Sequence, residues 1–459
     1  MEKGKSKPIK KIVLIACSLL LVIYIGISLY FTKHFYFGTH INEIKVSGKT
    51  IQEVDEEISS QTENYVLTLE ERDGKSEGIS AEDIDLKYIT NGRVEELKNQ
   101  QNGFAWILAP FKQKDNEIEL TVDYNSQKLQ EKVSKLECLN KSKVVEPKSA
   151  YIKYKDNDYQ IIDEVYGNKI IEENLNTSIE ESISKLQSNL NLDSQNCYEN
   201  PKYTTNSEEV KTALETLNKY GSTSVTYTFG DQTEVLKSGL IKKWLSVDDN
   251  FNVQIDNDEL WGYVNSLADK YNTSGLTRDF KTTAGTTVKI SGGDYGWVID
   301  RTQEVENLAS EIKEGQAVTK EPAYSQKAVS HDKNDYGNSY VEINLSLQHL
   351  WVYKEGSVVT DTDFVSGNVS LNCATPAGLY PVTYKEKDTF LVGEDYRTPV
   401  SYWMPFNGNI GMHDANWREK FGGTEYLTNG SHGCVNLPPS AAAVIFENVQ
   451  AGMPVILYN

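Results

Sequence analysis

From Ile12 to Phe31 the chain carries no charged residue and little that is polar. Such a run leaves its backbone few choices, because in apolar surroundings each N–H and C=O must find a partner inside the segment, as in a helix. At 1.5 Å per residue that helix is about 30 Å long, the thickness of one bilayer core. Lys3, Lys5, Lys7, Lys10 and Lys11 precede it. A short basic leader stays on the cytoplasmic side. Residues 1–11 therefore read as a cytoplasmic tail, 12–31 as a single-pass transmembrane anchor, and the chain after about residue 32 as extracytoplasmic. The competing reading is a cleaved secretory leader. The run exceeds the usual apolar leader core of about 7 to 15 residues, and Thr32-Lys33-His34-Phe35-Tyr36 offers no small-x-small cleavage site.

Beyond the anchor the sequence repeats itself. Ile118 to Asp123, followed by an amphipathic stretch from Ser126 to Leu136, is echoed by Asn252 to Asp256 followed by Asp258 to Tyr271. In the same order, Tyr159 to Ile162 with Tyr166-Gly167-Asn168-Lys169-Ile170 is echoed by Thr287 to Ile290 with Tyr295-Gly296-Trp297-Val298-Ile299. Polar helical segments follow, near 171–190 and 302–312, and Ile84 to Ile89 corresponds to Ile241 to Val247. Only the first copy has the extra residues 100–114. Short alternating runs suggest strands, while Leu129, Val133 and Leu136, or Leu260, Val264 and Leu267, mark helices with one buried face. Two α+β repeats result, at 43–200 and 206–326.

The polar segment from Asp332 to Ser339 reads as the junction to a last domain, 337–459. There Tyr340 to Leu345, Leu350 to Tyr353 and Val358-Val359 read as strands, with Glu355-Gly356 as a turn. Several short strands with Gly and Pro turns imply a mainly-β, β-sandwich-like core. The one helix expected runs from Ser440 to Asn448, after Pro438-Pro439 and before Gly452.

The formal net charge of −20 argues against nucleic acid as a partner, since a backbone-binding surface must supply Lys and Arg. Five cysteines do not make a disulfide scaffold in 459 residues. Cys17 lies in the anchor. Cys138, Cys197 and Cys373 read as free thiols, with a Cys138–Cys197 bridge left open. No CxxC or HExxH spacing supports a metal site.

The last cysteine is different. Ser431-His432-Gly433-Cys434-Val435-Asn436 sets it beside a histidine and a glycine, with His413 upstream. A thiol attacks a carbonyl as thiolate and needs a base to take its proton. A glycine lets the backbone approach a substrate and aim N–H groups at an oxyanion. Either His413 or His432 could serve Cys434 on spacing alone.

The text around this box resembles the L,D-transpeptidase family, whose catalytic domain is called YkuD. The resemblance runs from about Gly337 to Asn459 through Thr375-Pro376-Ala377-Gly378-Leu379-Tyr380, Tyr402-Trp403-Met404-Pro405-Phe406 and Ile410-Gly411-Met412-His413-Asp414-Ala415. It continues with Trp417-Arg418, Phe421-Gly422-Gly423, the Ser-His-Gly-Cys box and Gly452-Met453-Pro454-Val455. The repeats resemble the peptidoglycan-binding domains that often precede this catalytic domain, and Ser47-Gly48-Lys49-Thr50-Ile51 with Glu53-Val54 fits the start of their pattern. A plain spacer role is the competing reading.

The resemblance implies an enzyme of cell-wall synthesis or remodelling that needs no cofactor, whose partners are peptidoglycan stem peptides as donor and acceptor. It implies Cys434 as nucleophile and His413 as base, Asp414 orienting that base, and oxyanion donors at the N–H groups of Gly433 and Cys434. Ser431, His432 and Asn436 would hold the loop, and Tyr402, Trp403 and Trp417 would line the cleft. It implies 3-3 cross-links formed through a thioester, and acylation by carbapenems. An L,D-carboxypeptidase, in which water resolves the thioester, remains an alternative, as does a non-catalytic wall-binding protein.

Overall fold

The computed structural model describes residues 7–42, 44–111, 115–118, 120–393 and 397–459. Lys3 and Lys5 of the basic leader, Glu43 at the expected start of the first repeat, Glu119 in an expected strand and residues 112–114 of the extra segment lie outside them. The described chain divides into two compact units, one of residues 1–151 and 162–207, the other of 152–161 and 208–459.

The first unit begins with helix α1, Lys7–Lys33, whose apolar side chains from Ile12 to Ile23 are exposed, while Phe31 near its end is buried. A second helix, Ile51–Glu63, is closed at its start by a capping box, in which Thr50 accepts from the Glu53 N–H and Glu53 accepts from the Thr50 N–H. A hairpin of Val66–Glu70 and Ser76–Ser80 takes Asn189–Asn191 alongside in parallel. Leu129 and Val133 bury as the spacing predicts, on a helix Ser126–Val133, and Leu136 is buried just beyond its end. Two expectations are corrected. The strand expected from Ile118 starts only at Thr121. The helix expected up to Leu190 is Glu172–Ser184, because the chain turns at Leu186, with φ of 49°, and Leu190 then points into the core from a strand. Cys138 and Cys197 are free and buried in one cluster. Burial, with Glu71 and Glu77 nearby, pushes the Cys138 thiol up to about 12.

In the second unit, Ser224–Phe229 and Gln232–Leu236 form a hairpin joined in parallel by Ala317–Lys320, the same arrangement as in the first. A helix Asn257–Tyr271 is capped by Asp256, and a helix Arg301–Glu314 by Asp300 at its start and Gly315 at its end. The hairpin of residues 152–161 belongs here. Tyr159 is buried with Leu217, Ile241 and Trp244, and its hydroxyl donates to the Lys242 carbonyl at 2.5 Å.

The C-terminal part is a two-sheet sandwich. Its strands are β1 Tyr340–Asn344, β2 His349–Lys354, β3 Ser357–Asp363, β4 Gly378–Pro381, β5 Glu386–Val392, β6 Arg397–Asn407, β7 Ile410–Asp414, β8 Val435–Leu437 and β9 Pro454–Tyr458. One sheet has the order β3-β2-β1-β9-β4 and the other β5-β6-β7-β8. Val341, Ile343, Leu350 and Val352 of the first sheet meet Met404, Phe406, Met412 and Val435 of the second. Helix α2, Pro439–Asn448, adds Ala442, Ile445 and Phe446 to this core. It matches the one helix expected, although Glu425–Thr428 forms a further short turn of helix. A turn at 292–295 docks on the edge strand β4 through Leu379 N–H to Gly292 O at 3.0 Å and Tyr295 N–H to Leu379 O at 3.1 Å. An exposed edge is thereby covered.

Candidate active site

Parallel pairing of β7 with β8 sets Met412 against Val435 and His413 against Asn436. Met412, Val435 and Leu437 all point into the core. Side chains alternate along a strand, so His413 and Asn436 project from the opposite face, and Cys434, one step before Val435, shares it. A single pairing register thus puts the expected nucleophile and base on one face of the strand pair.

His413 is buried, with its ring 6.0 Å from that of Trp403 and 5.9 Å from that of Trp417. Its Nδ1 lies 2.9 Å from the Asp414 carbonyl oxygen. A carbonyl only accepts, so Nδ1 carries the hydrogen and Nε2 is left as the acceptor. The Asp414 carboxylate does other work, accepting the Tyr402 N–H at 2.8 Å. Burial pulls His413 below its ordinary value of 6.5, more than the Asp414 contact raises it. The imidazole is neutral at neutral pH.

Cys434 is half-buried, with Sγ 3.5 Å from the Asn409 carbonyl oxygen. Burial raises its thiol above the ordinary 9.0, opposed in part by the Gly411 N–H. Before it, the loop is bound tightly. Ser431 Oγ donates to the Cys434 carbonyl at 2.5 Å and accepts the Gly433 N–H at 3.0 Å. This corrects the expectation that the Gly433 N–H faces an oxyanion, because here it is engaged within the loop. Gly433 has φ of 128°, a conformation that favours glycine. His432 is exposed, unlike the buried His413. Asn436 is buried, and its backbone pairs in both directions with Val365. Its Oδ1 finds no donor among the described residues.

The three aromatic residues expected in the cleft separate. Trp403 lies opposite His413 in the β6–β7 register, and Trp417 is exposed beside the same imidazole. Tyr402 is a correction: one step along β6 from Trp403, it takes the core-facing side and packs on Phe446 of α2 at 5.3 Å.

Sequence reasoning missed the loop that cradles the Ser-His-Gly-Cys box. Ser431 N–H donates to Ser366 O at 3.0 Å, and Asn368 N–H to Ser431 O at 2.8 Å. Thr375 Oγ1 donates to the Gly433 carbonyl at 2.7 Å and accepts the Gly367 N–H at 2.9 Å. The only signal was that Thr375 opens one of the resembling stretches. Tyr384, whose hydroxyl accepts from Trp403 Nε1 at 3.3 Å, was also missed.

Residues 338–457 match the family model of the L,D-transpeptidase catalytic domain, YkuD. Residues 78–191 and 203–320 each match that of a "Putative peptidoglycan binding domain". Among solved structures, the Ldtfm–avibactam carbamoyl enzyme is 36% identical over 54% of this chain and 98% of its own, with a TM-score of 0.44. A cysteine-to-serine mutant of the Enterococcus faecium L,D-transpeptidase is 35% identical over 53% and 99%, with a TM-score of 0.44. The catalytic domain of an E. faecium L,D-transpeptidase acylated by ertapenem is 42% identical over 26% and 97%, with a TM-score of 0.25. No curated protein sequence matches this chain.

Proposed function

The chain belongs to the L,D-transpeptidase family, and from that premise we propose that it is a membrane-anchored enzyme joining peptidoglycan stem peptides by 3-3 cross-links. α1 holds it in the membrane, and the catalytic domain works outside, at the wall. Cys434 Sγ attacks the carbonyl that links the diamino acid to the terminal D-alanine of a tetrapeptide stem. His413 Nε2 takes the thiol proton and passes it to the departing amine as the C–N bond breaks. D-alanine leaves, and the stem stays on Cys434 as a thioester. An amine of a second stem then attacks that thioester, giving up its proton through His413, and restores the thiol. The Cys434 N–H receives the oxyanion in both steps. Trp403 and Trp417 flank the imidazole and limit water around it.

The observation that carries this reading is the Nδ1 contact of His413 with the Asp414 carbonyl, which leaves Nε2 as a base on the face shared with Cys434.

Incubation of the protein with tetrapeptide muropeptides, followed by mass spectrometry, tests the proposal. Cross-linked dimers are expected, and Cys434→Ala should abolish them while leaving the fold intact. Tripeptides alone would mean a carboxypeptidase. Turnover by a folded Cys434→Ala protein would overturn the mechanism. A carbapenem should leave its adduct on Cys434 and not on Cys373.

A further inference from the structure

Only the first copy of the repeated pattern carries the segment at 100–114, and its sequence, Gly103-Phe104-Ala105-Trp106-Ile107-Leu108-Ala109, is apolar throughout. It winds into a 3-10 helix, Gly103–Phe111, laid along the C-terminal part of α1. Gly103 lies so close to α1 that a Cβ there would come within 2.9 Å of both Ser28 O and Thr32 N. Tyr24 Oη donates to the Phe104 carbonyl at 2.6 Å. The open end of α1 is closed from the same side: Lys98 Nζ donates to the carbonyls of Phe31 and Thr32 at 2.9 and 3.0 Å, and Gln101 Nε2 to those of Phe31 and His34 at 3.0 and 2.8 Å. A buried ammonium at a helix C-terminus also answers the helix dipole.

The outward side of this junction is apolar. Phe104, Ile107 and Leu108 are each about half exposed, and Phe37 is 68% exposed. Between segment and helix a cleft of about 460 Å³ is walled by Ile27, Tyr30, Phe31, Phe37, Trp106 and Ala109. Such a patch in water would be a liability.

We infer that the 103–111 segment is embedded in the outer leaflet of the membrane beside α1, so that the protein meets lipid at a second element and places an acyl chain in the cleft. This rests on the proposed reading of α1 as the anchor. The contacts run from Tyr24 to Thr32, the last eight or so residues of the apolar run, which span about 12 Å of helix. If the run crosses the bilayer, that stretch lies within the outer leaflet, and whatever is bound along it lies there too. The segment satisfies the demand for internal partners, since its backbone bonds within a helical turn and to Tyr24. Trp106 of the segment and the tyrosines around it, Tyr24, Tyr30 and Tyr36, suit the level where hydrocarbon meets headgroups.

Of the seven tryptophans Trp106 alone precedes residue 208, so the difference between the protein and its Trp106→Phe variant reports on the segment. The full chain is reconstituted in phosphatidylcholine vesicles containing acyl-brominated phosphatidylcholine, which quenches nearby indoles. Bromolipid should lower the emission, and Trp106→Phe should remove most of that loss. As a second arm, replacing exposed Phe104, Ile107 and Leu108 together by serine, with Trp106 retained, should also weaken the quenching. Cys17, in the middle of the apolar run, reports separately on the anchor through its resistance to a membrane-impermeant maleimide. Cys17 protected with Trp106 unquenched overturns the inference and leaves the anchor standing. Cys17 labelled means that α1 does not span, and the inference falls with the anchor.

Discussion

Burial favours the uncharged form of both reacting groups, lowering His413 below 6.5 and raising Cys434 above 9.0. Between those limits the resting pair is thiol and imidazole, and the proton moves only when a carbonyl is in place. The rate of acylation should therefore be flat across neutral pH. It should fall on the acid side only below pH 6.5, as the lowered imidazole gains its proton. A simple alkylating agent should react slowly with resting Cys434 until the pH rises past 9. An acid limb centred above 6.5 in stopped-flow acylation would contradict the buried, neutral base. His413→Ala should cost about a hundredfold or more, the usual loss on removing a general base, and exposed His432→Ala less. Thr375 offers a different probe, because its hydroxyl ties the Gly433 carbonyl to the neighbouring loop. Thr375→Val keeps the shape and removes two hydrogen bonds, each worth about 1 kcal/mol. Acylation should slow roughly tenfold, while thermal unfolding shifts by only a few degrees; unchanged acylation would mean that the Ser-His-Gly-Cys box needs no outside support.

The β7–β8 pair shows why part of the site was legible in sequence. A Cys-His motif names the chemistry, and strand alternation then decides which neighbours share its face. That same alternation removes Tyr402, which sits beside Trp403 in sequence yet faces the core. The loop at 366–375 was illegible for another reason: its contacts join residues some sixty positions apart, and nothing local in Thr375 points toward Gly433. The helix that ends early at Ser184, before the turn at Leu186, was misjudged because apolar spacing sets a helical face and leaves its stopping point to backbone conformation. Among elements, the 152–161 hairpin is the most exposed to test. Tyr159 fills the core formed by Leu217, Ile241 and Trp244. Tyr159→Ala removes a buried ring, a change of about 3–5 kcal/mol for aromatic residues. Calorimetry should show the melting of the second unit lowered by this variant; an unaltered transition would mean that the hairpin only rests on that unit.

At the scale of the molecule, the two stretches matching peptidoglycan-binding domains lie between the apolar helix and the catalytic domain in sequence. If they hold wall material, the full chain in detergent should co-sediment with purified sacculi even as Cys434→Ala. With a net charge of −20, that binding should change little with added salt, since attraction to acidic polymers is not its source. A protein that stays in the supernatant would leave these stretches as spacers, and a steep loss at moderate ionic strength would reveal charge attraction. The division of the chain has a consequence of its own. Because residues 152–161 belong to the second unit while 162–207 return to the first, the polypeptide crosses between units three times. A protease that nicks the chain near residue 207 therefore cuts the last covalent link to residues 208–459, which stay attached only through the 152–161 hairpin packed in their core. The nicked protein keeps its catalytic half only for as long as Tyr159 stays seated among Leu217, Ile241 and Trp244.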